Sequence, residues 1–420
     1  MIFLLCTAVR DANATQNVFD IVIAAQKNNN ALLAAEQELK ARKLDKLKAM
    51  SGFLPQVYAQ GTLSEMKYNN NPLANYGSSQ QGQLVASQEL FSGGTTLSSV
   101  HKTNSIIESV EAKFISTRDN IIYKAIEAYE NVILTRQLYQ IAISKEEAMR
   151  KHLQTAELKF SVGELTRTDV STAKYNVAEA VAEKEKMRGE MLSAESVFAY
   201  TIGLLPDEDL RSINASILDV PSSMDEFAAV VNNANPNLLI AKKNLEASEY
   251  AVAESTGKLL PRVELQGSLT KSNAARSLEN KDGSNVALIV SIPIFDKGLT
   301  VTDIREKRYT KRKAEFDFDY TRGNVNENIV KIWTGYQVAK YSIVSNIEAL
   351  EAAQDAAASA DEEYKAGAKT TLDVLTAEIS LAKAKASMKK AERDLVLAIF
   401  QMHNYMGSLA KLDFAKLSSK

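Results

Sequence analysis

The chain has 420 residues, with 50 Lys and Arg against 52 Asp and Glu and a formal charge of −2. Balanced charge without a basic cluster argues against a nucleic-acid partner. With only 7 prolines and 17 glycines, the sequence does not read as the two or three ordinary globules that roughly 100–200 residues per domain would suggest.

The first feature in chain order is an apolar leader, Met1–Val9, containing the only cysteine, Cys6. Ala12-Asn13-Ala14 offers a small-x-small cleavage site, so residues 1–14 read as a signal peptide. Its removal leaves a mature chain without thiols, and so without a disulfide framework or a cysteine metal site. No later stretch approaches the roughly 18 consecutive apolar residues of a transmembrane helix. A membrane crossing would have to be made by strands in a closed barrel.

A helix is expected over about 17–51, ending before Leu54-Pro55. Two alternating segments follow. Val57 and Leu63 oppose Tyr58, Gln60, Thr62 and Ser64, and a weaker strand covers 83–90. The predicted strands run over about 55–66 and 82–91, joined by a polar link over 67–81. From about Thr95 to Glu157 there is no proline. About 65 helical residues would make a rod of roughly 100 Å. Ile107, Val110, Phe114, Ile121, Ala125, Ala128 and Val132 form one seam along it, and Ile122, Ile126, Tyr129 and Ile133 a second. Such spacing is coiled-coil packing, and two seams suit a helix flanked on both sides. A turn centred on Gly163 leads into another helix, and Pro206 and Pro221 then mark an irregular segment over 206–225.

The second half repeats the first. Leu32, Leu33, Ala35, Leu39 and Ala41 match Leu238, Leu239, Ala241, Leu245 and Ala247, each 206 positions later, as Leu54-Pro55 matches Leu260-Pro261. Leu90-Phe91, Gly163 and Asp169-Val170 match Ile294-Phe295, Gly367 and Asp373-Val374 at an offset of 204. The repeats span 15–205 and 226–407, with a tail over 408–420. In the second half a helix is expected over 226–257. Strands follow over about 261–272 (Val263, Leu265 and Leu269 on one face) and 285–295 (Val286, Leu288, Val290, Ile292 and Ile294), and then a long helix from about Leu299 to Glu363. In the last helix Ala384, Met388, Ala391, Leu395, Ala398, Met402 and Tyr405 alternate spacings of four and three. Each strand is long enough to cross a bilayer when tilted, but four strands cannot close a barrel, so a shared barrel is expected.

With Leu-Pro before the first strand of each half, Leu90-Phe91-Ser92-Gly93-Gly94 and Ile292-Pro293-Ile294-Phe295-Asp296-Lys297-Gly298 after the second, and Phe160–Val170 paired with Tyr364–Leu375, the chain resembles the TolC-type outer-membrane efflux protein family over about 17–407. The resemblance implies a mainly α fold with a membrane β part. Three chains would form a long coiled-coil helical barrel and a shared 12-stranded β-barrel, four strands per chain. It implies a homotrimer in the outer membrane of a Gram-negative bacterium, among outer-membrane lipid, with its helical portion in the periplasm. A periplasmic adaptor (membrane fusion) protein and an inner-membrane transporter would be its partners. The function implied is a passive exit duct for efflux or type I secretion, with no cofactor.

Carried over by motif position, the family's gate becomes Thr168 and Asp169 on one hairpin with Tyr364 and Lys369 on the other. Lys369 stands where the family's typical residue is Arg, keeping the charge but losing the fork geometry. Asp373 matches a pore selectivity ring. A second acidic position is Thr376 here, a departure that weakens the expected cation preference. Gly163 and Gly367 read as helix-turn glycines, and Asp373 also as an acidic residue favoured at a helix N-terminus.

The enzyme reading has little to carry it. His101, His152 and His403 lie far apart without ligand-like spacing, no metal cluster or phosphate loop appears, and Trp333 reads as packing. A periplasmic coiled-coil adaptor or scaffold without a pore is the alternative. Paired amphipathic strands favour the duct.

Overall fold

The computed structural model describes residues 16–66, 77–274 and 281–414. The expected signal peptide and residues 415–420 of the tail lie outside them. The helices are α1 (Val18–Asn28), α2 (Asn30–Met50), α3 (Thr95–Ser161), α4 (Arg167–Ile202), α5 (Met224–Ala234), α6 (Pro236–Gly257), α7 (Leu299–Lys365) and α8 (Thr371–Tyr405). The strands are β1 (Gln56–Met66), β2 (Gly77–Phe91), β3 (Arg262–Ala274) and β4 (Lys281–Ser291). None of the helices among the described residues is long and apolar enough to cross a membrane. Packing divides the chain into two units, one of residues 1–35, 115–236 and 324–420, the other of 36–114 and 237–323.

The second unit holds the antiparallel sheet, in the order β1-β2-β3-β4. The register sorts side chains by face. Val57, Ala86, Gly267 and Val286 form one cross-strand row, and Ala59, Leu84, Leu269 and Ser284 another on the same side. Between them lies a row of Tyr58, Val85, Ser268 and Asn285. The largely apolar face is open, with Leu63 81% exposed, Val286 77% and Leu288 62%. Among the described residues, β1 and β4 each have a single neighbour.

The strands reach further towards the two connections than the apolar alternation does. Residues 77–81, expected as part of a polar link, pair with β1, 79–81 also pair with β3, and 281–284 pair with β3. Backbone hydrogen bonds to neighbouring strands carry the ladder through these polar residues. At its other end β4 stops at Ser291, before Pro293, which has no N–H to donate. Helix segments of the same unit are tied by ion pairs: Lys43–Glu111 at 2.9 Å (α2 to α3), Lys243–Glu108 at 2.6 Å (α6 to α3) and Lys311–Glu249 at 3.0 Å (α7 to α6).

In the first unit, both predicted seams of α3 are buried from Ile121 to Ile133. The repeat is visible in the core itself. Ile21 and Phe227, and Ala25 and Val231, are buried pairs 206 apart, while Ile121/Val325, Ala125/Ile329, Phe198/Met402 and Ile202/Met406 are buried pairs 204 apart. Phe227, Val231, Val325, Ile329, Ile332, Met402 and Met406 form one cluster, with Trp333 packed against it.

Each helix expected to run unbroken before a Leu-Pro pair is instead two helices, broken at Asn29 and at Asn235, again 206 apart. Asn29 accepts from the amides of Ala31 and Leu32, capping α2, and Pro236 opens α6 where its missing N–H costs nothing. Each break receives the end of a later helix. A Cβ on Gly203 would lie 2.9 Å from the Asn28 side chain, and one on Gly407 would lie 3.0 Å from the Ala234 carbonyl. Both glycines have positive φ, so two requirements select glycine there.

The segment between the repeats is bound to α3 by side chains. The Tyr129 hydroxyl donates to the Arg211 carbonyl at 2.6 Å. Arg136 donates to the Asp207 carbonyl at 2.5 Å while pairing with Glu195 at 2.7 Å. Glu130, 1% exposed, accepts from the Ile213 amide at 2.8 Å and the Ser212 hydroxyl at 3.0 Å. Burial pushes its carboxyl from 4.5 up to about 7, with those two hydrogen bonds only partly opposing the rise. The folded state therefore binds a proton that the unfolded state has lost between those values. The stabilisation is complete below pH 4.5 and is lost as pH rises through about 7. Thermal midpoints of the detergent-purified protein should fall from pH 5 to pH 8, with Glu130 contributing up to about 1.4 kcal/mol per unit in that window. Glu130→Gln, which keeps an acceptor, should flatten the profile, and parallel profiles for the two proteins would contradict this account.

Candidate functional site

The two glycine turns sit at the ends of α3 and α7, in one packing unit. Both close the same way. The Gly163 and Glu164 amides donate to the carbonyls of Phe160 and Lys159, and the Gly367 and Ala368 amides to those of Tyr364 and Glu363. This is the Schellman pattern, which needs a left-handed residue, and φ is 81° at Gly163 and 79° at Gly367.

The following helices start alike. Thr166 and Asp169 cap α4 reciprocally, and Thr370 and Asp373 cap α8. In each box the aspartate accepts from the threonine amide at 2.8 Å and from its hydroxyl at 2.7 Å. The threonine hydroxyl and amide beside each exposed carboxylate hold Asp169 and Asp373 below the usual carboxylate range. The helix-N-terminus reading of Asp373 holds: it caps α8 and leaves its carboxylate exposed.

The predicted gate residues divide into two sets. Thr168 and Asp169 line a cleft of about 240 Å³ together with His152, Thr371 and Leu372. Lys369 pairs with Glu363 of its own hairpin at 2.9 Å. Tyr364 is half-buried, and its hydroxyl accepts from the Lys159 ammonium at 2.7 Å and from the Thr371 hydroxyl at 3.3 Å. The same ammonium lies 4.5 Å from the Tyr364 ring centroid. Burial raises the Tyr364 hydroxyl, but the bonds from Lys159 and Thr371 outweigh it and hold the group below its ordinary value. The Tyr364 contact raises Lys159. A second contact between the hairpins joins His152 Nε2 to a Glu378 carboxylate oxygen at 2.7 Å.

Within one chain, then, the polar partners of Asp169 and Lys369 lie on their own hairpins, and near the turns Lys159–Tyr364 and His152–Glu378 join one hairpin to the other. Sequence reasoning missed Lys159, His152 and Glu378. The available signal was heptad spacing, because His152 and Lys159 on α3, and Thr371 and Glu378 on α8, are each seven residues apart and so share a face. If the capping boxes act as the geometry indicates, Thr370→Ala should speed amide exchange in the first turn of α8 by roughly fivefold, the effect of one lost N-cap. Exchange unchanged at Asp373 and Val374 would show that the box contributes nothing there.

Comparison with known proteins gives this architecture a place. The profile of the family described as "Outer membrane efflux protein" matches residues 22–202 and 230–408, one match per repeat. The chain is 27% identical over 400 residues to the outer membrane efflux protein BepC of Brucella suis, covering 95% of this chain and 87% of that one. It is 21% identical to the outer membrane protein TolC of Escherichia coli, over 96% and 85% of the two chains. The crystal structure of the outer membrane protein VceC from Vibrio cholerae superimposes with a TM-score of 0.81 at 17% identity, covering 93% of this chain and 96% of that one. The chain belongs to the outer membrane efflux protein family.

Proposed function

We propose that this family member is one protomer of a homotrimeric outer-membrane duct, which passively conducts substrates from an inner-membrane transporter and its periplasmic adaptor to the exterior. The observation that carries this reading is the open sheet. Four strands carry one largely apolar, exposed face and leave β1 and β4 each with an unused edge. Backbone groups in hydrocarbon must be hydrogen-bonded within protein. Joining β4 of one chain to β1 of the next, three times over, closes twelve strands and removes every edge. The α7 helix agrees, since Tyr309, Tyr320 and Tyr341 are 68–78% exposed in the single chain and suit burial against a neighbour.

The duct itself performs no chemistry and consumes no energy. Energy and choice of cargo come from the transporter and adaptor. At the periplasmic end Thr168, Asp169, Tyr364 and Lys369 form the gate, with Asp169 and Lys369 reaching between chains as well as within their own turns. Asp373, repeated three times, makes an anionic ring that favours cations in the manner of charged rings in other pores. Thr376 supplies no second ring.

Detergent-purified protein should have the mass of a trimer and insert into planar bilayers as a weakly conducting, cation-preferring channel. A soluble monomer or dimer without channel activity would instead support the coiled-coil scaffold. In the same bilayers, Asp169→Ala combined with Lys369→Ala should raise single-channel conductance. Asp373→Ala should move the reversal potential in a salt gradient towards zero selectivity, and an unmoved reversal potential would remove Asp373 from the pore.

A further inference from the structure

Each long hairpin ends in a turn with little apolar packing of its own. Gly163, Glu164, Gly367 and Ala368 are exposed, as are most residues around them. Apolar packing between the hairpins centres on Met149, Ala180 and Leu375, and beside it and nearer the turns the contacts named here are polar. The contacts start from α3 as two rungs a heptad apart, the lower reaching Tyr364 at the end of α7 and the upper reaching α8. At the lower rung Lys159 donates to the Tyr364 hydroxyl at 2.7 Å and Thr371 donates to the same oxygen at 3.3 Å. At the upper rung His152 donates to Glu378 at 2.7 Å. His152 and Glu378 are 21% and 33% exposed, so water only partly screens their contact.

The repeat shows that these rungs are particular to one seam. Shifted by 204 positions, His152 becomes Ala356, Lys159 becomes Glu363, Thr371 becomes Arg167, and Glu378 becomes Lys174. Tyr364 corresponds to Phe160, which has no hydroxyl to accept a bond. None of the five groups is retained in its counterpart, while the capping boxes and turn glycines around them are kept in both halves. The helix framework is duplicated, and the rungs are not.

We propose that Lys159 is a gate-positioning residue, which together with the His152–Glu378 pair locks the α3–α4 turn to the α7–α8 turn within each chain, so that the duct's entrance opens when these contacts are released. The proposal rests on the duct reading above. It gives Tyr364 a cationic partner in its own chain and leaves Asp169 and Lys369 for the contacts between chains. A trimer has three such locks.

The test is planar-bilayer recording of the full-length trimer, with each variant first checked for trimer mass. Lys159→Met and Tyr364→Phe should each raise the ratio of open to closed entrance by roughly fivefold, the scale of one lost charge-assisted hydrogen bond. The double variant should do no more than the larger single change, because both remove the same bond. Lys159→Arg, which can donate to the hydroxyl and lie over the ring, should stay near wild type. Glu378→Gln should raise the ratio independently. Lys174→Met, whose ammonium lies 3.5 Å from Glu157 across α3 and α4 of one hairpin, should leave it unchanged. Single variants with wild-type gating, or Lys159 and Tyr364 effects that multiply as for unrelated sites, would overturn the lock while leaving the duct intact. A wild-type protein that forms no channel would overturn the duct reading, and the lock with it. If Lys159→Met does not assemble, Tyr364→Phe, which removes the acceptor, tests the same contact by itself, and wild-type gating there would equally count against the lock.

Discussion

A strand crossing hydrocarbon must find hydrogen-bond partners on both sides, and the described residues supply four strands to that requirement. In the proposed trimer the two outer strands leave the single chain incomplete, and closure would fix how copies meet. The free edges of β1 and β4, one from each repeat, would join the second half of one chain to the first half of the next. Such an interface would be head-to-tail and close into a ring. The aromatic residues exposed along α7 fit the same demand.

The helical part meets a different constraint. A helix as long as α3 or α7 cannot bury a continuous face in one compact core, so stability is distributed along it in local ties. Helix ends seat against helix breaks at Gly203 with Asn28 and at Gly407 with Ala234. Tyr129, Glu130 and Arg136 hold the segment between the repeats. Capping boxes and Schellman turns close the exposed ends at little cost in buried area. Most of these ties occur twice, which is why the buried positions of the two halves align so closely.

Periodicity and landmark spacing carried much of this in the sequence. Alternation exposed Val286, Leu288 and Val290 as one strand face, and the 206 and 204 offsets exposed the duplication. The Thr-x-x-Asp spacing at 166–169 and 370–373 was a readable cap signal. Other features were hidden for physical reasons. Apolar spacing continues across Asn29 and Asn235, so the helix breaks are marked only by asparagine and Pro236. The polar starts of β2 and β4 are strand because neighbours pair with them, and pairing is not a local property. The partner of Tyr364 could not be read from its own hairpin, because Lys159 lies 205 residues away along the chain.

The divergence between the two turns has a consequence for how such a ring can vary. A half-length chain assembling as six identical copies would write any substitution into all six seams at once, so closing strength could change only in large steps. In the proposed trimer the repeated chain would present two kinds of seam, three of each; Lys159 faces Tyr364 within the chain, while the repeat counterparts of those two residues are Glu363 and Phe160. One set of seams can hold the ring together while the other is tuned for release. The repeated chain would thus allow a graded adjustment that a simple hexamer could not make.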